Sequence, residues 1–453
     1  MNPTRRDFLG SSAAALTGAP WIDLRFLQGR RPVPSPAQLE WQKDALALFL
    51  HFGVNTFSDR EWGDGKEDPA IFAPASLDPM QWARSARAGG FRTMVLTAKH
   101  HDGFCLWPSR TTDHSVARSP WRDGQGDVVR LFVDACRAHG LKAGLYCSPW
   151  DRHEPSYGDS PRYNDLFAAQ LTELLTQYGP IQEVWFDGAN GEGPNGKRQA
   201  YDWPRTFGLV KRLQPNAVIF SDAGPDIRWI GNERGVAGDI NWSTIDPASV
   251  PYPGAPGDAV IRALQKGHPD GTVFRPGETD VSIRPGWFYH PAEDGKVKTV
   301  DELVDLYFTS VGRNSKLLLN VPPTREGRLH DIDVAMLSGM RERLTAIFRE
   351  DLTARQNAAW RVTGARTALL EVDLGSVVLV GIADLREAIE LGQVVARYVV
   401  EGSNGGAWRT LSRGTTIGFR KLDRFSPVLV RRVRVVIEDA VDRPRPVRLA
   451  LYG

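Results

Sequence analysis

Glu183-Val-Trp-Phe-Asp-Gly188 reads as a short buried strand that stops on a carboxylate and then a glycine. Val184, Trp185 and Phe186 favour extended backbone, and Gly188 opens a turn. The pattern predicts a strand over 182–187 with Asp187 at its C-terminal tip, just before the loop Ala189-Asn-Gly-Glu-Gly193. On both sides of it, strand-like and helix-like runs alternate. Strands are expected over 45–54, 93–98, 141–148, 217–221 and 316–321, and helices over 78–88, 127–139, 163–178, 204–213 and 300–311. Asp127 is placed to cap its helix, and Gly140 to end it in the left-handed conformation. Val128, Leu131, Phe132 and Ala135 form one apolar stripe on that helix, as do Phe167, Leu171, Leu174 and Leu175 on the next. Repeated strand–helix units call for a parallel sheet with right-handed crossovers. Six to eight of them over 33–350 fit a (β/α)8-like, TIM-type barrel, in which strand tips carry the chemistry. From Arg228 to Tyr289 the chain is irregular and rich in Gly and Pro, and the later barrel strands are not marked.

An amphipathic run over 331–349 closes this region, and the pattern then changes. Over 352–453, short β-rich runs at 368–372, 377–382, 394–400, 428–436 and 447–452 are separated by turn residues, notably Gly402-Ser-Asn-Gly-Gly406. This spacing predicts a C-terminal antiparallel β-sandwich. Within it, Val433, Val435 and Ile437 should face inward, leaving Arg432 and Arg434 on a solvated face.

The bulk numbers narrow the function. The chain has 453 residues, 56 Lys plus Arg against 54 Asp plus Glu, and a net charge of +2. That balance lacks the basic excess of a nucleic-acid binder. Fourteen tryptophans suit a large core, and also suit pockets in which flat rings stack on sugars. Cys105, Cys136 and Cys147 show no paired spacing, so neither a zinc site nor a disulfide framework is expected. At the start, Thr4-Arg-Arg-Asp-Phe-Leu9 and the small-residue run from Gly10 to Ala19 resemble a twin-arginine export segment over 1–30, which implies a periplasmic or secreted protein. That run is too short and polar to span a membrane, so no stable membrane insertion is expected.

Several residues could carry chemistry. His51 ends the first strand, His100 and His101 the second, and Tyr146 the third. A metal site built from the histidines is awkward, because adjacent strand residues point to opposite faces. Neutral imidazoles bonded to sugar hydroxyls fit the pattern better. If Asp187 is a glycosidase nucleophile, it needs an acid partner about 5–5.5 Å away. Glu233, in Trp229-Ile-Gly-Asn-Glu-Arg-Gly235, and Glu278, in Pro276-Gly-Glu-Thr-Asp280, are both candidates, and the residues alone leave the choice open.

Taken together, several motifs resemble the α-L-fucosidases of glycoside hydrolase family 29. They are His51-Phe-Gly-Val-Asn-Thr-Phe57, Glu61-Trp62, His100-His-Asp-Gly-Phe104, Ser148-Pro-Trp-Asp151, Trp185-Phe-Asp-Gly188, Trp229-Ile-Gly-Asn-Glu233 and Ser282-Ile-Arg-Pro-Gly-Trp-Phe-Tyr-His290. The resemblance implies retaining hydrolysis of terminal α-L-fucose, with Asp187 as nucleophile and Glu233 as acid/base. Glu278 is then kept as a pocket residue or fallback acid. It implies a sugar-binding set of His51, Glu61, Trp62, His100, His101, Tyr146, Trp185 and Trp287, with Arg228 as an expected arginine contact. It implies fucosylated oligosaccharides or glycoconjugates as partners and no metal or organic cofactor. The Trp-x-Gly-Asn-Glu loop points to the branch acting on α-1,3/1,4 linkages. The C-terminal cues Glu371-Val-Asp-Leu-Gly375, Glu390-Leu-Gly-Gln393, Tyr398-Val-Val-Glu-Gly-Ser403 and Trp408 resemble galactose-binding-like, discoidin-type modules, with sugar binding by this copy left open. The competing readings are a metal-dependent hydrolase using the histidines, a non-catalytic fucose-binding lectin, and an enzyme for a related sugar such as α-L-galactose.

Overall fold

In the computed structural model, which describes residues 31–453, eight parallel strands curl into a barrel. They are β1 (Leu46–Leu50), β2 (Thr93–Lys99), β3 (Lys142–Cys147), β4 (Glu183–Trp185), β5 (Val218–Phe220), β6 (Arg228–Trp229), β7 (Gly277–Ser282) and β8 (Ser315–Asn320). Their order is β5-β4-β3-β2-β1-β8-β7-β6, and one parallel bridge between Phe220 and Ile227 nearly closes the ring. The expected export segment, 1–30, lies outside the described residues.

Alternation along each strand builds two cores. Ala47 and Phe49 of β1, Trp185 of β4, Val218 and Phe220 of β5 and Leu318 of β8 fill the barrel interior. The residues that alternate with them, Leu46, Leu48, Leu50, Leu317 and Leu319, pack outward against the helices. Helix Pro36–Lys43 plugs the bottom of the barrel: Trp41 enters the interior core, and Gln38 donates to the Asp226 and Phe274 carbonyls at 2.8 Å each.

The helices form where capping and periodicity direct. Asp78 accepts from the Gln81 amide ahead of Pro79–Ala88, and Asp127 from the Arg130 amide ahead of Val128–Ala138. Gly140 has φ +62° just past the second of these. The first strand is shorter than its apolar run suggests. It ends at Leu50, and Val54–Ser58 turns helical, so His51 lies beyond the strand at the barrel mouth.

The unmarked strands are β6 and β7. Between them the chain makes a long excursion carrying a two-stranded hairpin, Thr244–Ile245 with Val273–Phe274, and helix Asp258–Lys266. Strand β7, Gly-Glu-Thr-Asp-Val-Ser, escapes sequence reading because its inward positions are acids rather than aliphatics.

After helix Asp331–Ile347 the chain forms one antiparallel sheet of six strands. Its two 20-residue strands, Ala368–Glu387 and Lys421–Ala440, bend through register shifts at 373/378 and 380/382 and wrap a separate apolar core. The runs read as separate strands over 368–372 and 377–382 are therefore parts of one. Val433, Val435 and Ile437 are fully buried. Arg432 and Arg434 lie over the Trp408 ring, at 5.2 and 4.3 Å from its centroid, and pair with Glu371 and Glu401. The arginine cluster is thus a solvated, ion-paired face.

The sandwich is welded to the barrel, and both belong to one unit, Pro32–Gly453. Ile382, Leu422, Ala450 and Tyr452 join the barrel's outer core. Asn314, with φ +58°, accepts from the Phe419 amide at 2.8 Å and donates to the Asn241 carbonyl at 2.9 Å.

Candidate active site

A cavity of about 220 Å³ opens at the C-terminal mouth of the barrel. It is lined by Phe49, His51, Glu61, Trp62, His100, His101, Tyr146, Trp185, Asp187, Glu233, Asp280 and Trp287. The size suits one sugar ring; sites for drug-sized ligands run to about 300–1,000 Å³. A larger groove of about 500 Å³ lies at the barrel–sandwich seam, but its acids are engaged, Asp239 with Arg313 and Asp423 with Tyr398 and Ser412.

Asp187 lies two residues past β4. Tyr146, from β3, donates to its Oδ2 at 2.7 Å, and the Ala189 amide donates to Oδ1 at 3.1 Å. Burial pushes this carboxyl up to about 6 against the opposing pull of those two bonds. Gly188 permits the turn: a Cβ there would sit 2.3 Å from the Gly254 nitrogen, so these two loops touch backbone to backbone.

Glu233 reaches the cavity from the other side, on a turn that its neighbours staple. Gly231 and Gly235 take positive φ, Asn232 donates to the Val236 carbonyl at 2.9 Å, and Gly235 donates to the Asp280 carbonyl at 3.1 Å. Desolvation raises the Glu233 carboxyl, the Trp287 indole opposes this, and the negative charges of Asp187 and Glu61 push the same way as desolvation. The two carboxyls therefore share one cavity and feel each other's charge.

The walls are aromatic and imidazole. Trp185 stacks on Phe220 at 4.2 Å and donates from Nε1 to Glu278 at 3.0 Å. The His51, His100 and His101 rings adjoin, with centroids 5.5 and 4.1 Å apart in sequence. Burial drives the His51 and His101 imidazoles down to about 3 and the His100 imidazole well below its ordinary value, so all three are neutral at ordinary pH. Glu61 accepts the Trp287 amide and, at 3.2 Å, the Phe288 amide, pinning the loop that carries Trp287. Trp62 is 59% exposed and forms the rim.

A family model described as α-L-fucosidase matches residues 35–346, the entire barrel. The chain belongs to the α-L-fucosidase family. It is 41% identical over 451 residues to α-L-fucosidase 1 of Arabidopsis thaliana, covering 93% of this chain and 87% of that one. A glycoside hydrolase 29 family member from an unknown rumen bacterium superposes with a TM-score of 0.86 at 39% identity, over 93% of this chain and 77% of that one. A Ruminococcus gnavus family-29 fucosidase solved in complex with fucose gives 0.84 at 31% identity, over 94% and 97%. The match extends past the barrel, so the sandwich belongs to the shared architecture.

Two assignments are revised by the fucosidase structure. Arg228 does not reach the cavity: it is fully buried in β6, donating to the Leu264 and Arg275 carbonyls and, at 2.7 Å, to Asn241. It ties the long excursion to the barrel. Glu278, kept as a pocket residue or fallback acid, does not line the cavity. It points inward from β7 beneath Trp185, fully buried. The residues missed are Phe49 and Asp280. Asp280 accepts from the Trp229 indole at 2.8 Å, and burial, with the nearby charge of Glu233, pushes it up to about 8. Its signal was the alternation Glu278-Thr-Asp280, which puts both acids on one face of a strand. Among the described residues no three His, Cys, Asp or Glu side chains are grouped to hold a metal ion.

Proposed function

We propose that this chain releases terminal α-L-fucose from fucosylated oligosaccharides or glycoconjugates with retention of configuration, and that Asp187 and Glu233 carry the two steps. The observation behind this is that the two carboxyls line one sugar-sized cavity from opposite loops, with no cation between them among the described residues. Asp187 attacks the anomeric carbon while protonated Glu233 delivers its proton to the leaving oxygen. Glu233 then takes a proton from water, which displaces Asp187. The Tyr146 hydroxyl holds Oδ2 of Asp187 and the Ala189 amide holds Oδ1, so the carboxylate is oriented before the sugar arrives. Bound sugar would strip further water from Glu233 and push its carboxyl in the direction desolvation already takes it.

The Trp229-Ile-Gly-Asn-Glu233 loop supports α-1,3/1,4-linked fucose as substrate. The apolar wall of Trp185, Phe49 and Trp287 suits a methyl-bearing deoxy sugar over one with an added hydroxyl. The twin-arginine-like start supports export to the periplasm or medium; replacing Arg5 and Arg6 by Lys should trap a reporter fusion inside the cell if that reading is right.

The test is hydrolysis of 2-, 3-, 4- and 6-linked fucosides with the anomer of the first product followed by NMR. The α anomer of fucose should appear first. Azide should restore turnover of an activated aryl fucoside by Glu233→Ala. First release of the β anomer, or full activity of Glu233→Ala on a poor leaving group, would reject the assignment.

A further inference from the structure

Asn320 ends β8 and continues the inward alternation of Lys316 and Leu318, so it sits beneath the mouth, fully buried. Its amide has a single allowed orientation. Oδ1 meets the His51 backbone N–H at 3.3 Å, a group that only donates, and Nδ2 meets the Trp287 carbonyl at 2.8 Å, a group that only accepts. Nδ2 also donates to Ser282 Oγ at 2.9 Å, whose own hydrogen goes to the Gly286 carbonyl at 2.6 Å. With Oδ1 fixed as an acceptor, His51 Nδ1 at 2.8 Å must carry a hydrogen. A neutral imidazole has only one, so Nε2 keeps a lone pair. Around that ring stand Phe49, Trp287, Phe288 and His100, with centroids 4.5, 5.1, 5.5 and 5.5 Å away, and Tyr146 at 6.4 Å. Tyr146 gives its hydroxyl hydrogen to Asp187 and Trp287 its indole hydrogen to Glu233, and among the described residues none donates to Nε2.

We propose that Asn320 is a positioning residue that fixes His51 as its Nδ1–H tautomer, so that this wall of the cavity accepts a hydrogen bond and selects a sugar with a free hydroxyl at that point. The proposal rests on the reading that the cavity holds the fucosyl ring. It adds which proton the protein withholds and which the sugar must bring. A sugar deoxygenated, methylated or acylated there leaves a buried acceptor unpaired, the case in which discrimination is strongest. Through Trp287, the same amide also ties the β1 wall to the loop that bonds Glu233.

Long-range 15N spectra of the imidazoles in the full chain, with the His51 signals identified by their loss in His51→Gln, should show hydrogen on Nδ1. Hydrogen on Nε2 would overturn the proposal whatever the activity, and the measurement needs no Asn320 variant to fold. Kinetics supply the second arm. Asn320→Ala should lower kcat/KM roughly 10- to 100-fold, as loss of a residue that orients a working imidazole does. Against 2-, 3- and 4-deoxy aryl fucosides, one position should be penalised strongly by the parent enzyme and much less by Asn320→Ala. Equal penalties in both enzymes at every position would also overturn the proposal.

Asn320→Asp puts a carboxylate on Nδ1. The titratable groups facing the His51 ring are His100 and His101 from the β2 tip and Tyr146 from β3, none of them charged at neutral pH. The new carboxylate should therefore hold His51 doubly protonated. The kcat/KM profile should gain an ionisation absent from the parent, with activity recovering as pH rises through it. A profile identical to the parent's would count against the proposal. A parent enzyme that cleaves no fucoside would instead fail the functional reading and leave the tautomer measurement standing.

Discussion

Glu183 and Asp187 belong to the same strand and its tip, and Glu278 and Asp280 to another, yet the two members of each pair live under different rules. The lower pair is sealed. Glu183 accepts from the Trp41 indole at 3.0 Å and lies 3.4 Å from the Lys316 ammonium, which itself sits 4.7 Å over the Trp41 ring. Burial and the Glu183 charge push Glu278 well above the usual carboxylate range, and a proton on Glu278 would answer the buried Oε1 of Glu183 that has no other partner among the described residues. One proton and one ammonium thus serve two acids. The upper acids, Asp187, Glu233 and Asp280, have indoles, a phenol and amides around them but, among the described residues, no neighbouring cation. The difference is one of purpose. An acid locked to a lysine is held in one protonation state, whereas an acid without one can exchange its proton or attack carbon.

The comparison is broken most directly at Asp187. Asp187→Asn keeps the shape and the Tyr146 contact but removes the nucleophile, so kcat on an aryl fucoside should fall on the order of 10⁴-fold with the fold intact. Circular dichroism and fucose binding would separate this from misfolding. A loss under tenfold would place Asp187 among ordinary cavity walls.

The lower pair fails differently. Lys316→Met leaves Glu183 buried beside Glu278 without its ammonium, and breaking such a pair from one side costs about 3–5 kcal/mol. Urea unfolding at neutral pH should show this loss. A stability equal to the parent's would mean that Lys316 compensates nothing.

Inward positions on the strands were legible wherever the inward residues were apolar. Phe49, Trp185 and Leu318 stand in runs that read as strands, and counting two further along the chain reaches His51, Asp187 and Asn320. The count was not carried to Asn320, because an amide at a strand end looks like a turn residue. Strand β7 was invisible because its inward residues, Glu278 and Asp280, carry the chemistry that burial usually forbids. Arg228 misled for the opposite reason: an arginine near a candidate loop suggests a ligand contact, but three hydrogen-bond acceptors inside the protein consume it. No local pattern foretells those acceptors, since Asn241, Leu264 and Arg275 are brought to it by the long excursion between β6 and β7.

Asp280 offers a sharper and smaller test, read in pH rather than in rate. Its carboxyl moves from an ordinary value of 3.8 to about 8 on folding. Between those values the folded chain keeps a proton that the unfolded chain has released, so stability falls as pH rises from about 4 to 8. Asp187, raised to about 6, adds to the same slope over the lower part of that range. Asp280→Asn retains an acceptor for the Trp229 indole and removes one titration. Its unfolding free energy should therefore decline less steeply with pH than the parent's, measured by urea titration at several pH values. An unchanged slope would show that Asp280 is ionised in the folded chain.

The smallest effect is expected at Glu278, two residues from Asp280 and below it. If Glu278 already carries a proton, Glu278→Gln changes little: the amide oxygen accepts from the Trp185 indole as the acid does now at 3.0 Å, and the amide nitrogen can donate to Glu183 in place of the carboxyl hydrogen. The exchange of one neutral hydrogen bond for another should cost less than about 1 kcal/mol and leave kcat/KM within a few-fold. The same conservative change at Asp187 removes activity, which is the contrast in its simplest form. A loss above about 3 kcal/mol for Glu278→Gln, the scale of a broken buried charge pair, would mean that Glu278 is an anion on which Lys316 depends. The floor under Trp185 would then be held by charge rather than by a shared hydrogen.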